Sequence, residues 1–111
     1  YKKAVEEVEG LRLLDFAENR RPNYWFYALY CDTRYALNRD GLIRYLASRG
    51  IQSRPIWGLI SEQKPYQECQ TYMIEKAKYY LEHVLNIPCS SNLSREDVQL
   101  VIECLSTPYK R

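Results

Sequence analysis

The chain has 111 residues, 46% hydrophobic and 27% charged, with 16 Lys and Arg against 14 Asp and Glu for a formal charge of +2. That length is one small domain, which removes only about two thirds of its unfolded surface from water. The composition excludes a disordered chain, no apolar run approaches the roughly 20 residues of a bilayer span, and the interspersed charge gives no basis for a phosphate-backbone binder.

Tyr1 to Glu9 carries Lys, Ala, Glu and Val and reads as the tail of a helix stopped by Gly10, with Val5 and Val8 on one side. Opening inside a helix and without a methionine, the sequence has the character of a piece of a longer protein. Leu11 to Phe16 is expected as a short edge strand or extended segment, and Glu18 to Asn23, with Pro22, as a loop. Tyr24 to Cys31 is a run of aromatic and aliphatic residues, expected as a central strand buried on both faces. The hydroxyls of Tyr24, Tyr27 and Tyr30 then require partners wherever they go inside.

Asn38 caps a helix whose positions Leu42, Tyr45, Leu46 and Ala47 share a side and which ends at Gly50. Ile51 to Ile56 reads as a short strand, so strand, helix and strand follow as a crossover, right-handed if the two strands run parallel. Pro55 and Gly58 break that strand and leave Trp57 on a loop beside Arg54, followed by Ser61, Glu62, Gln63 and Lys64 at the rim of the layer. Rims are where ligands dock, although Trp57 capping the core and Arg54 in a surface ion pair would fit the same residues.

Thr71 to His83 repeats apolar residues at Ile74, Ala77, Leu81 and Val84, a helical stripe, with His83 in the last turn in a capping or surface role. Leu85 to Cys89 is expected as a strand stopped by Pro88 and the Ser90-Ser91-Asn92 turn. Ser94 with Asp97 makes a capping-box start, and Val98, Val101, Ile102 and Leu105 continue it as a helix laid on the sheet. Thr107 and Pro108 end it, with Tyr109 to Arg111 as a frayed tail.

Cys31, Cys69, Cys89 and Cys104 are scattered, with no C-x-x-C pair and only His83 to complete a metal set, so they are expected as reduced thiols of a cytoplasmic protein with no metal site. No G-x-S-x-G, H-E-x-x-H or phosphate-cradling glycine loop is present, and the piece alone is expected to be inert.

Gly50-Ile51-Gln52-Ser53-Arg54-Pro55-Ile56-Trp57, followed by Gln63-Lys64-Pro65-Tyr66, resembles the small-domain signature of the DegT/DnrJ/EryC1/StrS family of pyridoxal-phosphate-dependent nucleotide-sugar aminotransferases. Asn23 to Tyr27, Arg39 to Leu46, Asn86 to Ser90 and Leu93 to Val98 resemble its first strand, following helix, final strand and final helix. The resemblance implies an α/β (α+β) fold, a small mainly antiparallel sheet with helices packed on one face. It implies that 1–10 is the end of an interdomain helix and 11–111 the carboxy-terminal small domain, with the large cofactor domain elsewhere. It further implies an enzyme of amino-sugar biosynthesis for surface polysaccharide or glycan. Pyridoxal phosphate is bound in the intact enzyme and not by this piece, which holds no catalytic residue.

The implied partners are the protein's own amino-terminal large domain, a second subunit and the nucleotide sugar, with no nucleic acid and no membrane. The resemblance makes Arg54, Trp57, Ser61 and Gln63 the substrate-binding candidates. Arg54 either meets a carboxylate or diphosphate oxygen or braces the loop. Ser61 stands where many relatives carry histidine, and a hydroxyl does not titrate near neutral pH. A small nucleotide- or RNA-binding module, with tyrosines stacking bases, and a dimerisation module are the alternatives.

Overall fold

The structure, a computed structural model, describes residues 1–109. Helix α1 (Lys2–Glu6) is followed by strands β1 (Leu11–Leu13) and β2 (Tyr27–Cys31), helix α2 (Arg39–Ser48) and the two-residue strand β3 (Arg54–Pro55). Two single 3-10 turns (Ile60–Glu62 and Lys64–Tyr66) lead to helix α3 (Lys76–His83), strand β4 (Val84–Ile87), helix α4 (Arg95–Ser106) and a closing 3-10 turn (Thr107–Tyr109). Of the frayed tail expected over Tyr109 to Arg111, Tyr109 instead belongs to that 3-10 turn, and Lys110 and Arg111 lie outside the described residues.

The four strands stand in the order β1-β2-β4-β3, and every neighbouring pair is antiparallel. Two successive antiparallel pairings make β2 and β3 parallel to each other, so the β2-α2-β3 segment is a crossover that spans β4. Side chains alternate across a strand. One face therefore carries Leu29, Cys31, Leu85 and Ile87, which join Val5 of α1, Leu42 and Leu46 of α2, and Val101, Cys104 and Leu105 of α4 in a single buried core. Leu29, Leu42, Leu46 and Leu85 are completely shielded from solvent. The sheet is thus antiparallel with helices packed largely on one face; α3 is the exception, with no buried residue of its own.

Local signals set the helix ends. The Asn38 side chain accepts from the Gly41 N–H, and Ser94 and Asp97 exchange both bonds of a capping box. Gly50 closes α2 at φ 74°, and Gly10 turns α1 into β1 at φ 80°. Gly10 is also steric: a Cβ there would lie 2.3 Å from the Tyr35 backbone nitrogen.

Several elements are shorter than their sequence patterns. The central strand begins at Tyr27 because Tyr24 adopts φ 55° and the Asn23 side chain accepts from the Trp25 N–H, a turn that holds residues 23–25 off the ladder. Of the three tyrosines in question only Tyr30 is buried. Ile51 does not join a strand, since its N–H bonds back to Leu46 at the end of α2. Helix α3 starts at Lys76, five residues late, because Met73 sits at φ 48°; Val84, read as the end of its stripe, opens β4, which stops at Ile87. β1 likewise stops at Leu13. All four cysteines are free. No helix among the described residues is long and apolar enough to cross a membrane.

Candidate functional site

Register decides what the second face of the sheet presents. Asn86 of β4 pairs with Ala28 on one side and Arg54 on the other, so these three side chains form a row across β2, β4 and β3 on the face away from the core. Further along the same face Tyr30 and Val84 are paired, and α3 covers that end. Tyr79 of α3 hydrogen-bonds the Tyr30 hydroxyl, and the His83 ring stacks on both phenols, 4.2 Å from Tyr79 and 6.0 Å from Tyr30 between centroids. Its Nδ1 lies 2.8 Å from the Tyr79 carbonyl, within its own helix, a local and structural role. The hydrogen bond to Tyr79, then burial, pushes the Tyr30 phenol up to about 12.

The other end of this face is open. Beside the Asn86–Arg54 pair lies a recess of roughly 310 Å³ lined by Gln52, Ser53, Arg54, Asn86, Trp57 and Phe26, among others. Its aromatic wall is assembled from two distant parts of the chain: Trp57 contacts Trp25 and Phe26 at 5.5 Å each between centroids, and Trp25 and Phe26 lie 4.7 Å apart. The Cys89 thiol donates to the Trp25 carbonyl at 3.1 Å, tying this wall to the end of β4. Trp57 is 68% exposed and Trp25 61% exposed, so neither is a core residue.

Four polar side chains of the recess make no bond to any described residue. Among the described residues, the Arg54 guanidinium and the Asn86 and Gln52 carboxamides have no hydrogen-bond or ion-pair partner. The Ser53 hydroxyl is buried and likewise unpartnered. A buried hydroxyl such as that of Ser53 is ordinarily paired, because leaving it dry costs free energy, whereas Arg54 and Gln52 are exposed and Asn86 half-buried, so their polar heads stay available at the surface. A charged fork, two amides and a hydroxyl beside aromatic rings can bind a polar molecule with apolar ring faces. Among the described residues no lysine lines the recess, so these residues offer no amine to form an imine with a carbonyl cofactor.

Of the four residues expected from sequence, Arg54 and Trp57 meet at this recess. Ser61 and Gln63 do not line it: Ser61 is half-buried in the first 3-10 turn and Gln63 is exposed where the two turns join. Sequence reasoning missed Ser53, Asn86 and Trp25 as lining or wall residues. One signal for Asn86 was present, a lone polar residue within the apolar run Val84-Leu85-Asn86-Ile87.

A second depression, of roughly 590 Å³, lies where Tyr1, Leu13, Leu14, Phe16, Tyr24, Phe26 and Tyr27 converge; Phe26 borders both. The two depressions share Phe26, and Phe16, Tyr24 and Tyr27 of the second are exposed.

A model of the DegT/DnrJ/EryC1/StrS aminotransferase family matches residues 1–106. The chain is 28% identical over 82 residues to the GDP-perosamine synthase of Caulobacter vibrioides, which covers 74% of this chain and 22% of that protein. Among solved structures, the aminotransferase TlmJ of Streptoalloteichus hindustanus is similar at a TM-score of 0.81 and 24% identity, over 98% of this chain and 29% of that one. DesI, solved in the presence of its TDP-sugar product, is similar at a TM-score of 0.84 and 17% identity, over 99% of this chain and 29% of that one. Helicobacter pylori PseC, an aminotransferase involved in the biosynthesis of pseudoaminic acid, gives 0.80 and 16%, over 98% and 30%. These structural likenesses establish a shared fold, and the chain spans less than a third of each relative's length.

Proposed function

The chain belongs to the DegT/DnrJ/EryC1/StrS aminotransferase family, and from that membership we propose that it is the carboxy-terminal small domain of an enzyme that transfers an amino group to a nucleotide-linked keto-sugar. Residues 1–10 are the end of the connecting helix in this reading, and residues 11–111 the domain itself. The intact protein is a cytoplasmic homodimer supplying amino sugars for a surface polysaccharide or glycan. Two relatives support the substrate class: one is named a GDP-perosamine synthase, and another was solved with a TDP-sugar product.

The observation that carries the proposal is the open end of the sheet, where Arg54 and the exposed Trp57 flank a recess in which the Arg54, Asn86, Gln52 and Ser53 side chains have no partner among the described residues. In the enzyme this surface is one wall of the cleft. Trp57, backed by Trp25 and Phe26, lies along the sugar, where an aromatic face matches C–H-rich ring surfaces and keeps water out. Arg54 directs its forked donors to a diphosphate or carboxylate oxygen. Ser61 and Gln63 shape the loop that follows, and Ser61, lacking a titratable ring, contributes hydrogen bonds and no proton exchange near neutral pH.

Pyridoxal phosphate supplies the electron sink of transamination when bound. The recess does not fit the role of its anchor, having no lysine among the described residues. The large part of the protein holds it.

The test is the intact protein with pyridoxal phosphate, glutamate and nucleotide-linked keto-sugars. Production of 2-oxoglutarate together with an aminated sugar nucleotide, identified by mass, is expected. Loss of a sugar hydroxyl without amination would assign it to dehydration instead, and absence of both with every keto-sugar would overturn the reading.

A further inference from the structure

We infer that the side-chain amide of Asn86 is a specificity-determining contact that reads a hydroxyl of the bound sugar, an inference that rests on the nucleotide-sugar reading above. Asn86 is the single polar side chain in β4 and stands between Ala28 and Arg54 in the row that crosses the open end of the sheet. Asparagine is disfavoured in strands, and a half-buried amide there takes its partner from the fold, from water or from a ligand. This one has none among the described residues, while its half-buried amide borders the recess walled by Trp57 and Phe26.

The chemistry of the pair separates their targets. Arg54 offers donors only, which suits an oxyanion that accepts only. Asn86 offers donors and an acceptor on one planar group, which suits a hydroxyl, the group that both gives and takes a hydrogen bond. Ala28, on the other side, contributes only a methyl group and competes for neither. The buried, unpartnered Ser53 hydroxyl lines the same recess, next to Arg54 in sequence. An uncharged, two-way hydrogen-bonding site therefore lies beside a cationic one, against an aromatic wall.

The experiment uses the intact enzyme loaded with pyridoxal phosphate and compares wild type with Asn86→Leu, nearly the same size but apolar. For the full keto-sugar nucleotide, KM is expected to rise about tenfold with kcat nearly unchanged, as for loss of a hydrogen bond formed on binding. A set of substrates each lacking one sugar hydroxyl separates recognition from structure. Wild type should lose affinity for one of them, and for that one Asn86→Leu should show no further loss. Should Asn86→Leu fold poorly by circular dichroism, Asn86→Ala, which cannot clash, is read in the same way. An unchanged KM in the folded variant, or an equal rise for every deoxy substrate, overturns the inference while leaving an active wild type and its assignment intact. An inactive wild type overturns the functional reading and this inference with it.

Discussion

Trp25 and Trp57 meet ring to ring, 5.5 Å apart and inclined by 53°, although one precedes the central strand and the other follows the edge strand. The contact closes the wall of the candidate site while leaving both indoles largely in solvent. They are the only tryptophans of the chain, so their emission reports on this wall alone.

In the isolated chain that emission is expected to be red-shifted, as for exposed indole, and quenched by iodide to nearly the extent seen in urea. Trp57→Ala should change the urea-unfolding free energy by no more than about 1 kcal/mol, since it removes surface stacking and no core volume. A blue-shifted, iodide-resistant emission, or a larger loss, would put Trp57 in the interior.

Gly10 and Gly50 both sit at positive φ, yet their substitution by alanine should differ. At Gly50 nothing lies within 4 Å of a new Cβ, and only the left-handed backbone is penalised, by roughly 1–2 kcal/mol. At Gly10 the new Cβ would strike the backbone of Tyr35, whose hydroxyl donates to the Leu105 carbonyl at 2.6 Å and so ties the turn to α4. About 1–3 kcal/mol of overpacking should add to the backbone term. Equal urea midpoints for Gly10→Ala and Gly50→Ala would contradict this account.

Tyr30 makes the sheet–α3 contact sensitive to alkali. Its phenol is raised from 10.0 to about 12, first by the hydrogen bond to Tyr79 and then by burial. The folded chain holds that proton more tightly than the unfolded chain does. The associated stability is complete below the ordinary phenol value and is lost as pH climbs from there toward 12. Cys31, raised to about 11 by burial, adds to the same decline. Tyr79→Phe should flatten, without abolishing, the fall in urea midpoint between about pH 9 and about pH 11.5 by removing the hydrogen-bond part of the Tyr30 share. An unaltered slope would mean that the two phenols are not bonded in solution.

Thiol chemistry should sort the cysteines by position. Cys69 is exposed, Cys89 half-buried, and Cys31 and Cys104 buried. With a thiol reagent near pH 8, Cys69 is expected to react first and Cys31 only on unfolding, because burial both shields it and disfavours its thiolate. Mass mapping of the modified peptides checks the order, and early labelling of Cys31 would contradict the packing of β2.

Much of the architecture is legible in the sequence where the cause is local. Asn38, Ser94 with Asp97, and Gly50 announce the ends of α2 and α4 because capping acts over three or four residues, and the structure forms each of those caps. The family motif around Arg54 and Trp57 marks the loop for the same reason. What escaped is set by pairing between distant segments. Whether Asn86 turns toward the core or away from it follows from the β2-β4-β3 register, which no single stretch encodes. The Tyr24–Phe26 run has strand composition throughout, but the Asn23 turn removes its first part from the ladder and so frees Trp25 to meet Trp57. Met73 shortens α3 through a backbone conformation that the apolar stripe does not reveal.

The margins of the sheet decide how other molecules can approach it. At one margin β3 is only two residues long and one of them is Pro55, which brings no N–H to offer a newcomer. At the other, the Leu11 N–H is already engaged by Val8 within the α1 turn. Both borders are thereby partly blocked against an additional ribbon, which helps guard the domain against edge-to-edge aggregation. A companion lying across the aromatic flank would instead make contact by side chains, which can be released without unzipping backbone bonds.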